Sequence, residues 1–334
     1  MELMQIISKQ HESEILEISP NQNVHQRLSS ASSFIEANTI ESSLEEIKDN
    51  HIIPVFIKDN EPLISQTDFI EATQKIAAEV FDGEAILKPS VRLSHPIKGR
   101  VPSAKDKPAI ELMESEKTLY YERMAFIIEI PSISAYIDGS HLSLTIGGVK
   151  ALNLDNLYGK KGSDEHFKFF VGFQNKVCTN LCVWSDGYVS DLKVTSLAQL
   201  KVNIRLLLET YNACHQINML QQLPEYSITE KQFATLIGRC RMYQHLPKSM
   251  QESIPPLLFG DNQLSTVVKD YYRDQSFSRN ADGTINLWRL YNLFTGANKS
   301  TYIDNFLDKS LNAYLFVEQL KHALNNQQQS WFLT

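Results

Sequence analysis

Residues 133–146, ISAYIDGSHLSLTI, carry the signal that decides the fold. Asp138-Gly139 is a favoured two-residue hairpin loop, because both of its positions need positive φ. The implied register pairs Ile137 with Ser140, Ala135 with Leu142 and Ile133 with Leu144. On the other face Tyr136 meets His141 and Ser134 meets Ser143. One face is mainly apolar and the other mainly polar, so turn chemistry and alternation agree on an antiparallel pair.

Upstream, SVRLSHP (90–96) and LYYERMAFIIEI (119–130) read as strands, the second ended by Pro131. TDFIEATQKIAAEVF (67–81) reads as a helix capped by Thr67, with Phe69, Ile70, Ile76, Ala77, Val80 and Phe81 on one face. Downstream, HFKFFVGF and VCTNLCVW suggest another strand pair. The composition then changes. SLAQLKVNIRLLLETYNACHQINMLQQL (196–223) predicts one long helix capped by Ser196. TEKQ (229–232) has capping-box spacing. Stretches 261–274, 286–296 and 310–324 continue the helical pattern, with Gly296 as a stop. Strands come first and helices follow, which predicts an α+β fold: an N-terminal antiparallel β-sheet with hairpins and a C-terminal helical layer packed on it.

The expected organisation is a loose acidic, polar tail at 1–48, a mainly β region at 49–195 and a mainly helical region at 196–334. Residues 49–325 are expected to form one cooperative unit. The tail holds one aromatic, Phe34, with a fleeting helix expected around SSLEEIKDN. Order is expected to begin at the strand-like HIIPVFIKD (51–59). Residues 1–60 carry ten acids and four bases, whereas the other 274 carry 29 and 28. The body is therefore nearly neutral and has no overall field that would drive non-specific DNA binding. No run approaches the ~18–20 apolar residues that span a bilayer, and no leader pattern opens the chain. No membrane partner is expected, and the expected compartment is the cytoplasm.

NKVCTNLCVWSDG (175–187) holds two of the four cysteines. On a strand, Cys178, Asn180, Cys182 and Trp184 share one side. The two sulfurs then sit about 13 Å apart at ~3.3 Å per residue, too far to bridge. With Asn175-Lys176 as the turn, Cys178 faces Phe173 and Cys182 faces Phe169, as small hydrophobes beside rings. Asn180 is an amide in an apolar row. Either it ties down a bulge or neighbouring loop, the commoner fate of a buried polar group, or it lines a groove. Cys214, His215, Cys240 and His245 lack paired zinc spacing, so no metal is expected.

Other motifs fail on chemistry. TGANKST (295–301) has Asn298 where a phosphate loop needs glycine, and it follows a helix. SRNADGTINLWR (278–289) ends on Arg289 where a calcium loop needs glutamate. No nucleophile elbow, zinc-protease or dinucleotide fingerprint occurs. No catalytic residue and no cofactor is assigned, and the expectation is a protein that is not an enzyme.

One segment carries concentrated charge. LKPSVRLSHPIKGRVPSAKDKPA (87–109) holds Lys88, Arg92, Lys98, Arg100, Lys105 and Lys107 against Asp106, with His95 as a further donor. Tyr120 and Tyr121 follow. Basic residues beside aromatics suit a phosphate backbone and stacked bases. The plainer alternative is a solvated loop balancing the acidic tail.

VRLSHPIKGR (91–100), EKTLYYERM (116–124), NKVCTNLCVWSDG, IGRCRMYQHLP (237–247) and NLWRLYNLFTGANKSTYID (286–304) resemble a bacterial family known only as a domain of unknown function, family 3871. The resemblance covers about residues 50–320. VCTN and the W-x-L-Y-N helix also resemble, distantly, a larger phage and plasmid family. The resemblance implies a setting on conjugative or phage-like mobile elements and supplies no functional residue. The resulting expectation is a binding protein for single-stranded nucleic acid, held at the basic segment and its tyrosines. The alternatives are a protein partner docked through the acidic tail, or an enzyme without a recognisable motif. Nothing in the sequence sets the oligomeric state.

Overall fold

The computed structural model describes residues 33–50, 53–54, 64–104, 107–151, 164–327 and 329–334. Its β elements are β1 (Ile40–Ser42), β2 (Ile53–Pro54), β3 (Ser90–Arg100), β4 (Lys117–Ile137), β5 (Ser140–Ala151), β6 (Glu165–Asn175), β7 (Leu181–Cys182) and β8 (Tyr188–Val194). They form one antiparallel sheet in the order β1-β3-β4-β5-β6-β7, with β2 also on β3 and β8 also on β6. Helices α1 (Leu44–Asn50) and α2 (Gln66–Val80) lie within this half. The second half supplies α3 (Leu197–Thr210), α4 (Ala213–Gln221), α5 (Glu230–Tyr243), α6 (Lys248–Gln251), α7 (Asp261–Arg273), α8 (Leu287–Asn298) and α9 (Ile303–Asn325). A short pair, β9 (Ser227–Ile228) with β10 (Ile285–Asn286), ties two of its connections together. The fold is α+β.

The central hairpin has the expected loop. Asp138 and Gly139 take φ of +47° and +76°, and Ile137↔Ser140 through Ser134↔Ser143 pair as read from the sequence. Beyond Ser134 the register shifts, so Leu144 faces Ile130 instead of Ile133. This bulge absorbs Pro131. A proline has no N–H for the ladder, but an irregularity removes the need for one. β4 therefore runs through Pro131 to Ile137 instead of ending there.

The sheet is covered on both faces. Phe126, Ile128, Ile146, Phe167 and Phe169 belong to one buried cluster, and Phe69 of α2 is set among three of these rings, 5.0 Å from Phe126, 4.8 Å from Phe167 and 6.3 Å from Phe169. Ala125, Ile127, Val149 and Phe170 point the other way, onto Ile303, Phe306 and Leu307 of α9 and onto Phe34 and Ile35. Strands buried on both sides read as continuous apolar runs, which is why β4 and β6 lack clean alternation. Polar ties pin α9 down: Lys168 Nζ donates to Asp308 Oδ2 (2.5 Å), Tyr188 OH donates to Asp308 Oδ1 (2.7 Å), and Arg123 pairs with Asp304 (2.5 Å).

Several expectations need correction. The tail expected through residue 48 is folded from residue 33: Phe34 and Ile35 are buried, β1 adds to β3, and α1 follows. A sheet edge offers backbone partners whatever the local composition. Residues 1–32 lie outside the described residues, as does most of HIIPVFIKD. Ser65, not Thr67, caps α2, in a reciprocal box with Asp68. The long helix from Ser196 is two helices. Tyr211 is extended, and Asn212 restarts the chain by accepting from His215 N (2.9 Å). Gly296 lies inside α8 and does not end it. The Ser196 cap and the Thr229–Gln232 box stand as read.

Close packing over β5 dictates glycine at 148. A Cβ there would lie 2.4 Å from the Phe69 ring and 2.7 Å from Lys168 O. Gly238, inside α5, has nothing within 4 Å of its missing Cβ. Gly148→Val should therefore destabilise the protein by about 2 kcal/mol or more through overpacking. Gly238→Ala should stabilise it by ~0.5–1 kcal/mol. Urea unfolding midpoints measure both, and equal effects would contradict the packing described.

Candidate functional site

Among the described residues, Arg92, Arg100 and Lys107 of the basic segment turn to partners within the protein. Lys88 is exposed. Arg92 turns its guanidinium onto Thr39, with Nε donating to Oγ1 (3.0 Å) and Nη2 donating to the carbonyl (3.0 Å), and Glu41 lies 3.9 Å away. Burial lowers its pKa, partly opposed by Glu41 and Glu36. Arg100 is 2% exposed and donates from Nη1 to Lys107 O (2.5 Å). Lys107 pairs with Glu116. These cations fasten the 100–116 connection and residue 39 to the sheet. Lys98 and Tyr120 occupy ladder positions opposite Leu119 and Ile97. Lys105 lies outside the described residues. Tyr121 is buried, and its carbonyl accepts from Gln66 Nε2 (2.6 Å). His95 is exposed, with φ of +62°, and its ring lies 6.0 Å from that of Tyr302. Charge can be counted in a sequence, but the partners that neutralise it are distant along the chain.

A different site forms where the turn after β6 meets α7 and α8. The turn is closed by Asn175 N donating to Asn180 O (2.9 Å) and Thr179 N donating to Asn175 O (2.7 Å). Thr179 has φ of +59°. A β-branched residue is disfavoured there, so tertiary partners must hold it. Lys299 Nζ donates to Thr179 Oγ1 (2.9 Å) and to Cys178 O, and Thr179 Oγ1 donates to Ser33 O (3.3 Å). The turn shortens β7 to two residues and moves its register. Cys182 faces Phe173, not Phe169, and Cys178 sits in the turn.

Three buried amides fix this turn to α8. Asn175 Nδ2 donates to Asn292 Oδ1 (3.0 Å), Asn180 Nδ2 donates to Asn292 O (3.0 Å), and Asn292 Nδ2 donates to Trp288 O (2.9 Å). A carbonyl only accepts, so the amino side of Asn180 must face Asn292 O and its Oδ1 must face away. That oxygen has no hydrogen-bond partner although Asn180 is only 2% exposed. Asn180 lines an open cleft of about 330 Å³, with Asp270, Asp274, Phe277, Asn292 and Lys299 among the other lining residues. Burial lowers the pKa of Lys299, and the charges of Glu36 and Asp274 work against that shift. Both readings of Asn180 therefore hold: it ties down a loop and it lines a groove. Asp274, Asn292 and Lys299 carried no local signal that would have joined them to it.

A family model described as "Domain of unknown function, B. Theta Gene description (DUF3871)" matches residues 21–333. The chain belongs to this family. No curated protein and no solved structure matches it. Two of the stretches that carry the family resemblance, 175–187 and 286–304, meet at the cleft of this DUF3871 chain. Among the described residues, no cluster of three or more His, Cys, Asp or Glu could hold a metal ion, and no helix is long and apolar enough to cross a membrane.

The thiols are subdued by their surroundings. Burial pushes Cys178 up to about 11 and Cys182 up to about 12, and raises Cys240 further. The thiolate is the reactive form. At pH 8 the native protein should take up one equivalent of iodoacetamide quickly, at the half-buried Cys214. All four thiols should react in urea. Intact-mass analysis counts the adducts, and fast native labelling of Cys182 would contradict the core packing.

Proposed function

We propose that this protein is a non-enzymatic binding protein whose ligand enters the cleft between the Cys178–Asn180 turn, α7 and α8. The observation that carries the reading is the cleft itself, whose lining includes Asn180, a buried amide with an unpartnered Oδ1. A buried acceptor without a donor costs ~1–3 kcal/mol. The strained Thr179 lies between Cys178 and Asn180, both of which line the cleft, and strain of this kind gathers at ligand clamps. Cys178 is a protonated thiol at neutral pH, which favours binding over nucleophilic chemistry. The cleft lies at the small end of ligand pockets, which run from ~300 to 1,000 Å³.

Single-stranded nucleic acid at the β3 surface is the second reading. What favours it is the exposed His95–Tyr302 ring pair, since exposed rings near basic residues stack bases. Mobile-element company, implied by the resemblance, is compatible with either.

The cleft reading predicts that Gly296→Leu, which projects a side chain toward Asn180 from a helix position with room for a Cβ, folds and abolishes ligand binding. The Gly296 Cβ position is 3.8 Å from Asn180 Nδ2, an ordinary contact. Ligand-observed NMR with a small polar fragment library finds the binders, and the Leu variant with an unchanged melting midpoint reports the site. Retention of every binder by that variant would end the reading. Fluorescence anisotropy with a labelled oligonucleotide at ~50 mM salt tests the alternative. Binding lost in His95→Ala and Tyr302→Ala would support it, and no binding at all would remove it.

A further inference from the structure

We infer that residues 33–37 form an exchangeable plug, and that two copies of this chain pair by each closing the other's smaller core. The inference is independent of what the cleft binds. Among the described residues that core has twelve members, and only Phe34 and Ile35 come from before β1. They are 4% and 0% exposed, and the Phe34 ring meets that of Phe306 edge-on at 6.2 Å. The other members come from the sheet and from α9. A plug that leaves takes both of its apolar side chains away from Ile303, Phe306 and Leu307. The space it leaves matches the same segment of a second copy, so exchange needs no new complementarity.

The plug is held as a bound peptide is held, by partners far along the chain. Ser33 O accepts from Thr179 Oγ1 (3.3 Å), and the N–H groups of Glu36 and Ala37 donate to Lys299 O (2.9 and 3.2 Å). The segment after it is rooted differently. β1 pairs with β3 from Ile40↔Leu93 to Ser42↔Val91, and Ile47 of α1 packs into the cluster on the α2 face. The chain thus crosses the sheet edge, with its root on one face and its plug on the other. Asn38 is the joint. Its φ is +39°, a left-handed turn that asparagine tolerates and most L-residues avoid. Straightening that one residue swings the plug away from its own α9 and leaves β1 in place. Concentration then decides which copy is plugged. A plug on a short tether meets its own site at an effective concentration of about millimolar. Dilute folded chains are therefore monomeric, whereas chains that fold while crowded, or whose joint cannot turn back, close on each other.

The test is size-exclusion chromatography with light scattering on the full chain, in two series. In the first, the protein is unfolded in urea and refolded over a range of concentrations up to the effective one. The expected result is a dimer whose share rises with refolding concentration. In the second, the joint is changed. Asn38→Pro locks φ near −65° and forbids the turn, so it should be dimeric at concentrations where the unaltered chain is monomeric. Asn38→Gly accepts positive φ freely and should stay monomeric. Adding Phe34→Asp removes the plug, and the dimer should be lost in both series; Phe34→Ala is the milder form of the same change if the aspartate variant does not fold. If Asn38→Pro does not fold, the refolding series decides alone. A dimer in neither series would overturn the inference, because the plug then never leaves its own chain. A dimer that survives loss of the Phe34 side chain would overturn it as well, since the copies would be meeting through another surface.

Discussion

Buried amides cannot be left to chance, and Asn175, Asn180 and Asn292 show how strongly that constrains this protein. They are between 0% and 2% exposed, and they join a sheet turn to a helix more than a hundred residues later. Each of these bonds contributes only ~1 kcal/mol net, but separating the partners inside the core would strand several donors and acceptors at once. The turn and α8 therefore keep one relative placement. The register of β7, the posture of Thr179 and the walls of the cleft all follow from it.

The second constraint is the double burial of the sheet. Because α2 takes one face and α9 the other, the middle stretches of β4, β5 and β6 are packed on both sides. The rings of Phe126, Phe167 and Phe169 pack on one side and that of Phe170 on the other, and glycines at 147 and 148 admit the backbone of β4 and Phe69. The two lysines kept in this interior are tethered. Lys150 pairs with Glu165 at 2.7 Å and lies 4.0 Å over the Phe167 ring, and Lys168 reaches α9. A lysine that is fully buried survives because its ammonium has a partner and its stem packs as an apolar chain.

The legible parts of the fold were those specified within a few residues. Asp138-Gly139 fixes its turn by backbone preference alone, and Ser196 and Thr229 cap helices through side chains three residues from their partners. The misread parts were decided from far away. VCTNLCVW looks like a strand because its residues favour one, but Lys299 and Ser33 hold Thr179 in a left-handed conformation and shorten the strand. Pro131 looks like an end because only the paired strand reveals the bulge. At the site, Asn180 stood out as an amide in an apolar row. Its companions Asp274, Asn292 and Lys299 come from separate stretches, and no local pattern joins them. The basic segment is only partly legible for the same reason. Arg92, Arg100 and Lys107 are visible as charges, whereas Thr39, a carbonyl and Glu116 are not visible as their partners.

The backbone N–H groups of Glu36 and Ala37 donate to the carbonyl of Lys299, at 2.9 and 3.2 Å. During synthesis this early segment must wait for about 260 further residues before its partner exists. At ~5–20 residues per second that delay is on the order of 15–50 s. Throughout it, Phe34 and Ile35 have no α9 to cover them and are open to chaperones that recognise apolar segments on nascent chains. The contact with Lys299 can form only once α8 has been made, and a chain that stops before α9 leaves Phe34 and Ile35 without Ile303, Phe306 and Leu307 to pack on.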